Sequence, residues 1–444
     1  MTATQRTGRW HAAYALLPAG PARNVTFEVV DGRFTSITPD SHPAGAQPLP
    51  GVVLPGLANA HSHAFHRALR GRTHHGGGTF WTWRDGMYAV AAALDPDRYL
   101  ALARATYAEM ALAGVTCVGE FHYLHHAPGG ARYADPNAMG EALRQAAAEA
   151  GIRLTLLDAC YLSGGLTADG HQPLGDAQRR FSDGSAERWA ERVGALAPSE
   201  GMRAGAAVHS VRAVPREALK TVVTAAAGRP LHVHLSEQPA ENEACLGWYG
   251  LTPTGLLATE GVLGPLTSAV HATHLTDADI ALLGRTGTVC CFCPTTERDL
   301  ADGIGPARAL HDAGSPLSLG SDQHAVIDLI EEARALESHE RLGSRRRGRF
   351  TLSELLSAAT NHDSLGWPDA GRLAVGARAD LVAVRTDSVR TAGTAPDQVL
   401  MSATAADVDT VIVDGRMTVQ GGQHRLGDIA SLLRDAIEPL WEDQ

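Results

Sequence analysis

One repeat constrains this chain more than any other feature. Eight apolar runs of strand length each end in polar or histidine residues, and each is followed by a helix-like stretch. The runs are VVLPGLANAHSH (52–63), GVTCVGEFHY (114–123), IRLTLLDACY (152–161), MRAGAAVHS (202–210), PLHVHLSE (230–237), TSAVHATH (267–274), GTVCCFCP (287–294) and PLSLGSDQH (316–324). Between them lie segments such as DPDRYLALARATYAEMALAG and NAMGEALRQAAAEAG, which begin near Pro, Asp or Asn and stop at Gly, as helix punctuation predicts. Nearly continuous apolar strands alternating with helices indicate a parallel sheet covered on both faces. Eight such units suit a closed (β/α)8 TIM barrel; an open doubly wound sheet is the alternative.

The flanks read differently. Residues 24–54 and 371–421 contain short alternating strands with Asp-Gly turns, so the two ends are expected to pair into one small composite β-sandwich domain. The expected division is 1–55 and 369–425 for that domain, 56–368 for the barrel, and 426–444 for a C-terminal helix that packs on the surface or at an interface. Residues 71–86 (GRTHHGGGTFWTWRDG) are expected to be a long loop after the first barrel strand, either a lid or a plain surface excursion.

The net charge of −11 argues against nucleic acid or an anionic membrane surface as the partner. It also means that an anionic substrate needs specific arginines. No apolar run reaches the 18 residues of a membrane span, and the N-terminus has no basic start followed by an apolar core. The six cysteines are irregularly spaced, which fits a reducing cytoplasm better than a disulfide framework. Cys290, Cys291 and Cys293 look like a metal motif but sit in a run that reads as a buried strand, where Cys acts as a small hydrophobe.

His61 and His63 end the first run, and a period of two puts both imidazoles on one face at the barrel mouth. Polar residues end other runs: His234 and Glu237, His271, and Asp322. Three imidazoles and a carboxylate suit one Zn²⁺ with an open position for water, with Fe²⁺ as the other candidate. His232 shares a face with His234, and His274 competes with His271; His234 and His271 are preferred. Asp322 has a bland reading as a helix cap and Glu237 as a solvated loop residue. The chain has a single lysine, Lys220, inside a helix-like stretch. No lysine is therefore placed to bridge two metals, and one metal is expected. A metal so held would lower the pKa of a water toward neutrality. Asp322 would then take up a proton, His271 would orient the attacking oxygen, and Glu237 would protonate the nitrogen of a C=N bond. That last role favours deamination over ester or amide hydrolysis.

The segments PGLANAHSHAFHRALRG, HVHLSE, VHATH, LGSDQH and GRLAVGARADLVAV resemble the amidohydrolase superfamily over essentially the whole chain, in the pattern of its mononuclear deaminases. Within that branch HSHAFHRALRG, GEFHYLHH, the WTWRD segment, AVHSVRAV and HVHLSEQPAE are most similar to the formimidoylglutamate deiminase family. The resemblance implies hydrolysis of N-formimidoyl-L-glutamate to N-formyl-L-glutamate and ammonia in histidine degradation. It implies zinc on His61, His63, His234 and Asp322, with Glu237, His271 and Asp322 catalytic. Substrate contacts map onto His66, Arg84, Tyr123, His209 and Arg212, and a homodimer is implied. The two arginines suit a substrate with two carboxylates, since a guanidinium holds a carboxylate by two hydrogen bonds. Two positions depart from the family pattern: His66 replaces Gln, and Gln323 replaces the Ser after the metal Asp. Both are expected near the pocket, where they would compensate for one another. The competing readings are a deaminase of another amidine (a guanidino acid, purine, pterin or triazine) and a catalytically dead barrel with an assembly role.

Overall fold

The computed structural model describes residues 6–74 and 80–442. Along the chain run β1 (Gly8–Leu17), β2 (Gly20–Val30), β3 (Arg33–Thr38), β4 (Gln47–Pro55), β5 (Leu57–Ser62), β6 (Val115–His122) and β7 (Arg153–Cys160). A short hairpin of β8 (Gly165–Thr167) and β9 (Gly170–Gln172) follows. Then come β10 (Met202–Val208), β11 (Leu231–Leu235), β12 (Thr267–His271), β13 (Val289–Phe292) and β14 (Leu317–Leu319). The C-terminal flank adds β15 (Leu381–Val384), β16 (Val408–Val413), β17 (Arg416–Gln420) and β18 (Gln423–His424).

The eight strands expected from the apolar runs form one parallel sheet in the order β14-β13-β12-β11-β10-β7-β6-β5. Its two ends meet through a parallel bridge between Ser62 and Asp322. There Asp322 N–H donates to the His61 carbonyl at 3.0 Å, and His63 N–H donates to the Asp322 carbonyl at 3.1 Å. The sheet is thereby a barrel. The strands are buried along almost their whole length, as parallel strands covered by helices must be. Inside the cylinder Ala58, Cys117, Val270, Cys291 and Cys293 pack around Leu365 and Trp367. The cysteine-rich run is thus core, all six cysteines being buried thiols.

The flanking strands form a single eight-stranded sheet, β18-β17-β16-β15-β4-β1-β2-β3. The two ends of the chain join where β4 pairs antiparallel with β15, from Val52–Val384 to Pro55–Leu381. The tail is helical over Ile429–Ile437. It packs near the first barrel helices, and Trp441 Nε1 donates to the Ala68 carbonyl at 3.1 Å.

Two helices precede β6: α1 (Phe80–Ala93) and α2 (Pro96–Leu112). α2 starts as its sequence predicts, with the Asp95 side chain accepting from Arg98 N–H and Pro96 in the first turn. α1 corrects the expectation of a loop through residue 86. Trp83 and Arg84 lie on a helix, and Gly86 is inside it. An interior Gly costs a helix roughly 1 kcal/mol, and burial of Met87, Val90 and Ala91 on one face outweighs it. Residues 75–79, including the three consecutive glycines, lie outside the described residues. No described helix is long and apolar enough to cross a membrane.

A buried ionic cluster joins sheet and barrel at the N-terminal ends of the strands. Arg153, the first residue of β7, pairs with Asp380 through both Nη atoms and reaches Asp414 at 3.1 Å. Trp367 stacks against the guanidinium groups of Arg153, Arg203 and Arg378 at 5.3, 4.3 and 4.9 Å. Burial alone would raise the Asp380 carboxyl, but Arg153 outweighs burial and holds it below the usual range. Asp380→Asn leaves a buried guanidinium short of its counter-charge, so unfolding stability should fall by about 3–5 kcal/mol. Denaturant titration checks this, and an unshifted midpoint would refute it. Because the folded carboxyl titrates below its unfolded value of about 3.9, its contribution is complete above that pH and is lost as pH falls beneath it.

Candidate active site

The C-terminal ends of the barrel strands converge on a cavity of about 500 Å³. His63, His66, Arg84, Tyr123, His209, Arg212, His234, Glu237, His271 and Asp322 all line it. Of the expected metal, catalytic and substrate residues, only His61 does not, being fully buried beneath the floor.

On that floor His61 Nε2 and His63 Nε2 lie 3.3 and 3.4 Å from Asp322 Oδ1. His234 Nε2 is 3.1 Å from His61 Nε2. His271 Nε2 is 3.9 Å from Asp322 Oδ2, and its Nδ1 is 3.7 Å from Glu297 Oε1. The competing histidines point elsewhere. His232 Nε2 lies 3.0 Å from the Ser364 carbonyl, down the barrel, and His274 Nε2 lies 2.8 Å from the Asp302 carbonyl.

Backbone carbonyls set the tautomers. His63 Nδ1–H donates to Phe121 O and His234 Nδ1–H to His209 O, both at 2.9 Å. Each ring therefore turns its Nε2 lone pair toward the cluster, as metal-bound imidazoles do. Burial keeps the rings neutral: it pushes His63 down to about 3, with help from His61, and it lowers His61 and His234 as well. Lone pairs and a carboxylate crowded into a dry pocket repel one another without a cation. His61, His63 and His234, and likewise His61, His271 and Asp322, bring one donor atom each to within 4.8 Å. This donor set fits a divalent metal.

The strand ends carry backbone strain. Ser236, His271, Ala272, Asp322 and His324 all have positive φ, between 43° and 69°. Such conformations cost non-glycine residues about 1–3 kcal/mol each and persist only where the surroundings impose them. Here Ala272 N–H donates to Leu235 O, and His274 N–H to Ser236 O, both at 3.0 Å.

Around the cavity His66 Nε2 is 2.9 Å from Tyr123 Oη, and Gln178 Nε2 donates to Tyr161 Oη at 2.8 Å. Arg212 Nη2 donates to Glu237 Oε2 at 3.1 Å. Arg84 lies 5.8 Å from the Tyr88 ring. For His271, burial alone would lower the pKa, but Glu237, Glu297 and Asp322 together carry it to about 10. Sequence reading overlooked Tyr161, Gln178 and Glu241. Tyr161 ends the third apolar run and was open to notice; Gln178 and Glu241 lie in segments with no strand-end signal. Gln323 differs from expectation. Its Nε2 donates to Asp299 Oδ2 at 2.8 Å, and it lines a separate small cavity with Arg70 and His74. The left-handed turn at Asp322 sends successive side chains apart, so Gln323 does not meet His66.

Residues 52–418 match the Amidohydrolase family, and residues 10–49 match the N-terminal domain of formimidoylglutamate deiminase HutF. The chain belongs to the amidohydrolase family. It is similar to a formimidoylglutamate deiminase of Pseudomonas aeruginosa, at 40% identity over 93% of this chain and 95% of the relative. An 8-oxoguanine deaminase of the same organism is 32% identical over 86% of this chain and 85% of its own. An amidohydrolase structure from Brucella melitensis superposes with a TM-score of 0.88 at 32% identity, covering 98% and 99% of the two chains. As an amidohydrolase the protein is a metal-dependent hydrolase of C–N bonds, and the floor cluster offers the donors such a metal requires.

Gly320 separates β14 from the floor. A Cβ there would lie 2.7 Å from His61 Cβ and 2.8 Å from His61 O. Gly320→Ala should therefore lower the metal retained after dialysis, although it removes no donor. Gln323→Ala, facing the neighbouring cavity, should leave retention unchanged. Elemental analysis of the two purified variants checks both, and equal retention would show that β5 and β14 tolerate separation.

Proposed function

We propose that the protein hydrolyses N-formimidoyl-L-glutamate to N-formyl-L-glutamate and ammonia, a step of histidine degradation. The observation that carries this reading is the placing of two arginines, Arg84 and Arg212, around the same cavity as the donor cluster. A formimidoyl amino acid with two carboxylates needs that combination, whereas a neutral purine or triazine does not. The similarity to a formimidoylglutamate deiminase supports it.

In this reading His61, His63, His234 and Asp322 hold one Zn²⁺, or alternatively Fe²⁺. The ion would polarise a water so that it is a nucleophile at neutral pH. Asp322 takes the proton that the attacking water loses, and His271, beside Asp322, orients that oxygen toward the formimidoyl carbon. Glu237 passes to the terminal nitrogen the two protons that the water gives up, the second as the hydroxyl of the adduct becomes the formyl oxygen. The new C–O bond forms, the C–N bond to that nitrogen breaks, and ammonia leaves. Arg84 and Arg212 each take one substrate carboxylate, while His66, Tyr123 and His209 line the path between them. We place the enzyme in the cytoplasm as a homodimer. We divide the chain into a barrel of 56–368, a β domain of 1–55 with 369–425, and a tail of 426–444.

Ammonia release from N-formimidoyl-L-glutamate by protein of known zinc content tests the reading. Turnover of ~1 s⁻¹ or faster is expected. Glu237→Gln should keep its metal and lose ~100- to 10,000-fold in rate. Arg84→Met and Arg212→Met should each weaken turnover of this substrate. Turnover of 8-oxoguanine but not of the formimidoyl compound would overturn the assignment in favour of a ring deaminase.

A further inference from the structure

Glu241 is a buried carboxylate, 2% exposed, in the first turn of helix Pro239–Tyr249. It lies four residues after Glu237 and has no place in the chemistry described above. Its Oε1 accepts Ser236 N–H at 3.0 Å. Ser236 is one of the strained residues, with φ of +50°, and directly precedes Glu237. Its Oε2 lies 3.2 Å from Arg212 Nε. Arg212 reaches Glu237 with the other edge of its guanidinium, through Nη2.

One carboxylate therefore holds both the turn that presents the proton carrier and the inner edge of an arginine that lines the cavity. We propose that Glu241 is a positioning residue that sets Arg212 and Glu237 in register, so that recognition of a substrate carboxylate is coupled to proton delivery. This rests on the reading of an anionic formimidoyl substrate.

The argument is one of partner exchange. Arg212 presents a fork of N–H donors. Glu241 faces the Nε edge as a close ion pair, without a hydrogen bond there, and its bond to Ser236 N–H holds it in place, so it is the fixed partner. Glu237 occupies Nη2 and has no such second anchor among the described contacts, so it is the exchangeable one. A substrate carboxylate that takes the Nη edge displaces Glu237 by competition for the N–H and by like-charge repulsion. The freed Glu237 carboxylate can then pick up the proton that the attacking water gives up through Asp322 and hand it to the leaving nitrogen. A substrate without a carboxylate leaves Glu237 tied to Arg212.

Glu241→Gln and Glu241→Ala separate the two contacts. Gln keeps an oxygen for Ser236 N–H but removes the charge beside Arg212; Ala removes both. For Glu241→Gln we expect the KM for N-formimidoyl-L-glutamate to rise about 10- to 100-fold, the value of one interaction with a charged group, with kcat changed far less. For Glu241→Ala kcat should fall as well. Turnover of an N-alkylformamidine, which carries no carboxylate, should be the same in Glu241→Gln and wild type. Metal content and thermal unfolding of each variant show whether it is folded. Calorimetric binding of N-formyl-L-glutamate reports carboxylate recognition without turnover. Wild type and Glu241→Gln binding this product equally well, or Glu241→Gln losing rate equally on substrates with and without carboxylates, would overturn the proposal and leave the proposed function standing. Wild type that neither binds the product nor turns over the formimidoyl substrate would overturn the proposed function and this inference with it.

Discussion

The barrel closes through the same residues that form the floor of the candidate site. Asp322 donates its N–H to the His61 carbonyl and accepts from His63 N–H, which ties the last barrel strand to the first. The side chains of those three residues point into one cluster. Donor geometry and barrel closure are therefore a single constraint. Spreading the join would move His61 and His63 relative to Asp322, and a cation held by all three would in turn clamp the join. Gly320 lets β14 come close enough for this, since any Cβ would meet the His61 side chain and carbonyl.

Much of this was legible in the sequence because parallel barrel strands are buried on both faces and stop abruptly. An apolar run ending in a lone His or Asp marks a strand end at the mouth, and His61, His63, His234, His271 and Asp322 were found that way. Pairing of the two flanks was legible for a related reason: short alternating strands with Asp-Gly turns cannot belong to a parallel barrel. What sequence did not resolve depends on side-chain direction or on context. WTWRDG looks like a loop because glycines surround it, yet packing of Met87 and Val90 makes it helix. Gln323 adjoins Asp322 in the chain but faces another cavity, because a positive φ at Asp322 reorients everything after it. Glu241 carries no strand-end signal, and only the fold shows that it reaches both Ser236 and Arg212.

A second histidine cluster shows by contrast why the floor suits a metal. His122, His125 and Asp158 also bring donor atoms to within 4.8 Å. There, however, Asp158 accepts from Arg192 at 2.7 and 2.9 Å and from Trp189 at 2.9 Å, and His125 Nε2–H donates to the Ala159 carbonyl at 2.9 Å. A guanidinium already supplies the positive charge that the carboxylate needs. On the floor no arginine contacts Asp322 among the described residues, and the imidazole lone pairs face inward. The negative charge of Asp322 and nearby Glu237 and Glu297 is strong enough to carry His271 to about 10 against its burial. The difference between a structural cluster and a metal-binding one is thus which cation the neighbouring side chains leave room for.

The two ends of the barrel divide the work. At the N-terminal ends Arg153, Asp380, Asp414 and Trp367 form a charge-paired network that joins barrel to sheet, in which Asp414 alone of the four has a positive φ. At the C-terminal ends five non-glycine residues hold positive φ, and several buried nitrogens, including His61 Nδ1 and His271 Nδ1, have no hydrogen-bond partner. Strain and unsatisfied polar groups destabilise a fold unless something else offsets them. The opposite end and the core can do so for the backbone. The inward lone pairs of the floor imidazoles beside Asp322 call for a cation, which is why the mouth, and not the base, is where the chemistry has to be.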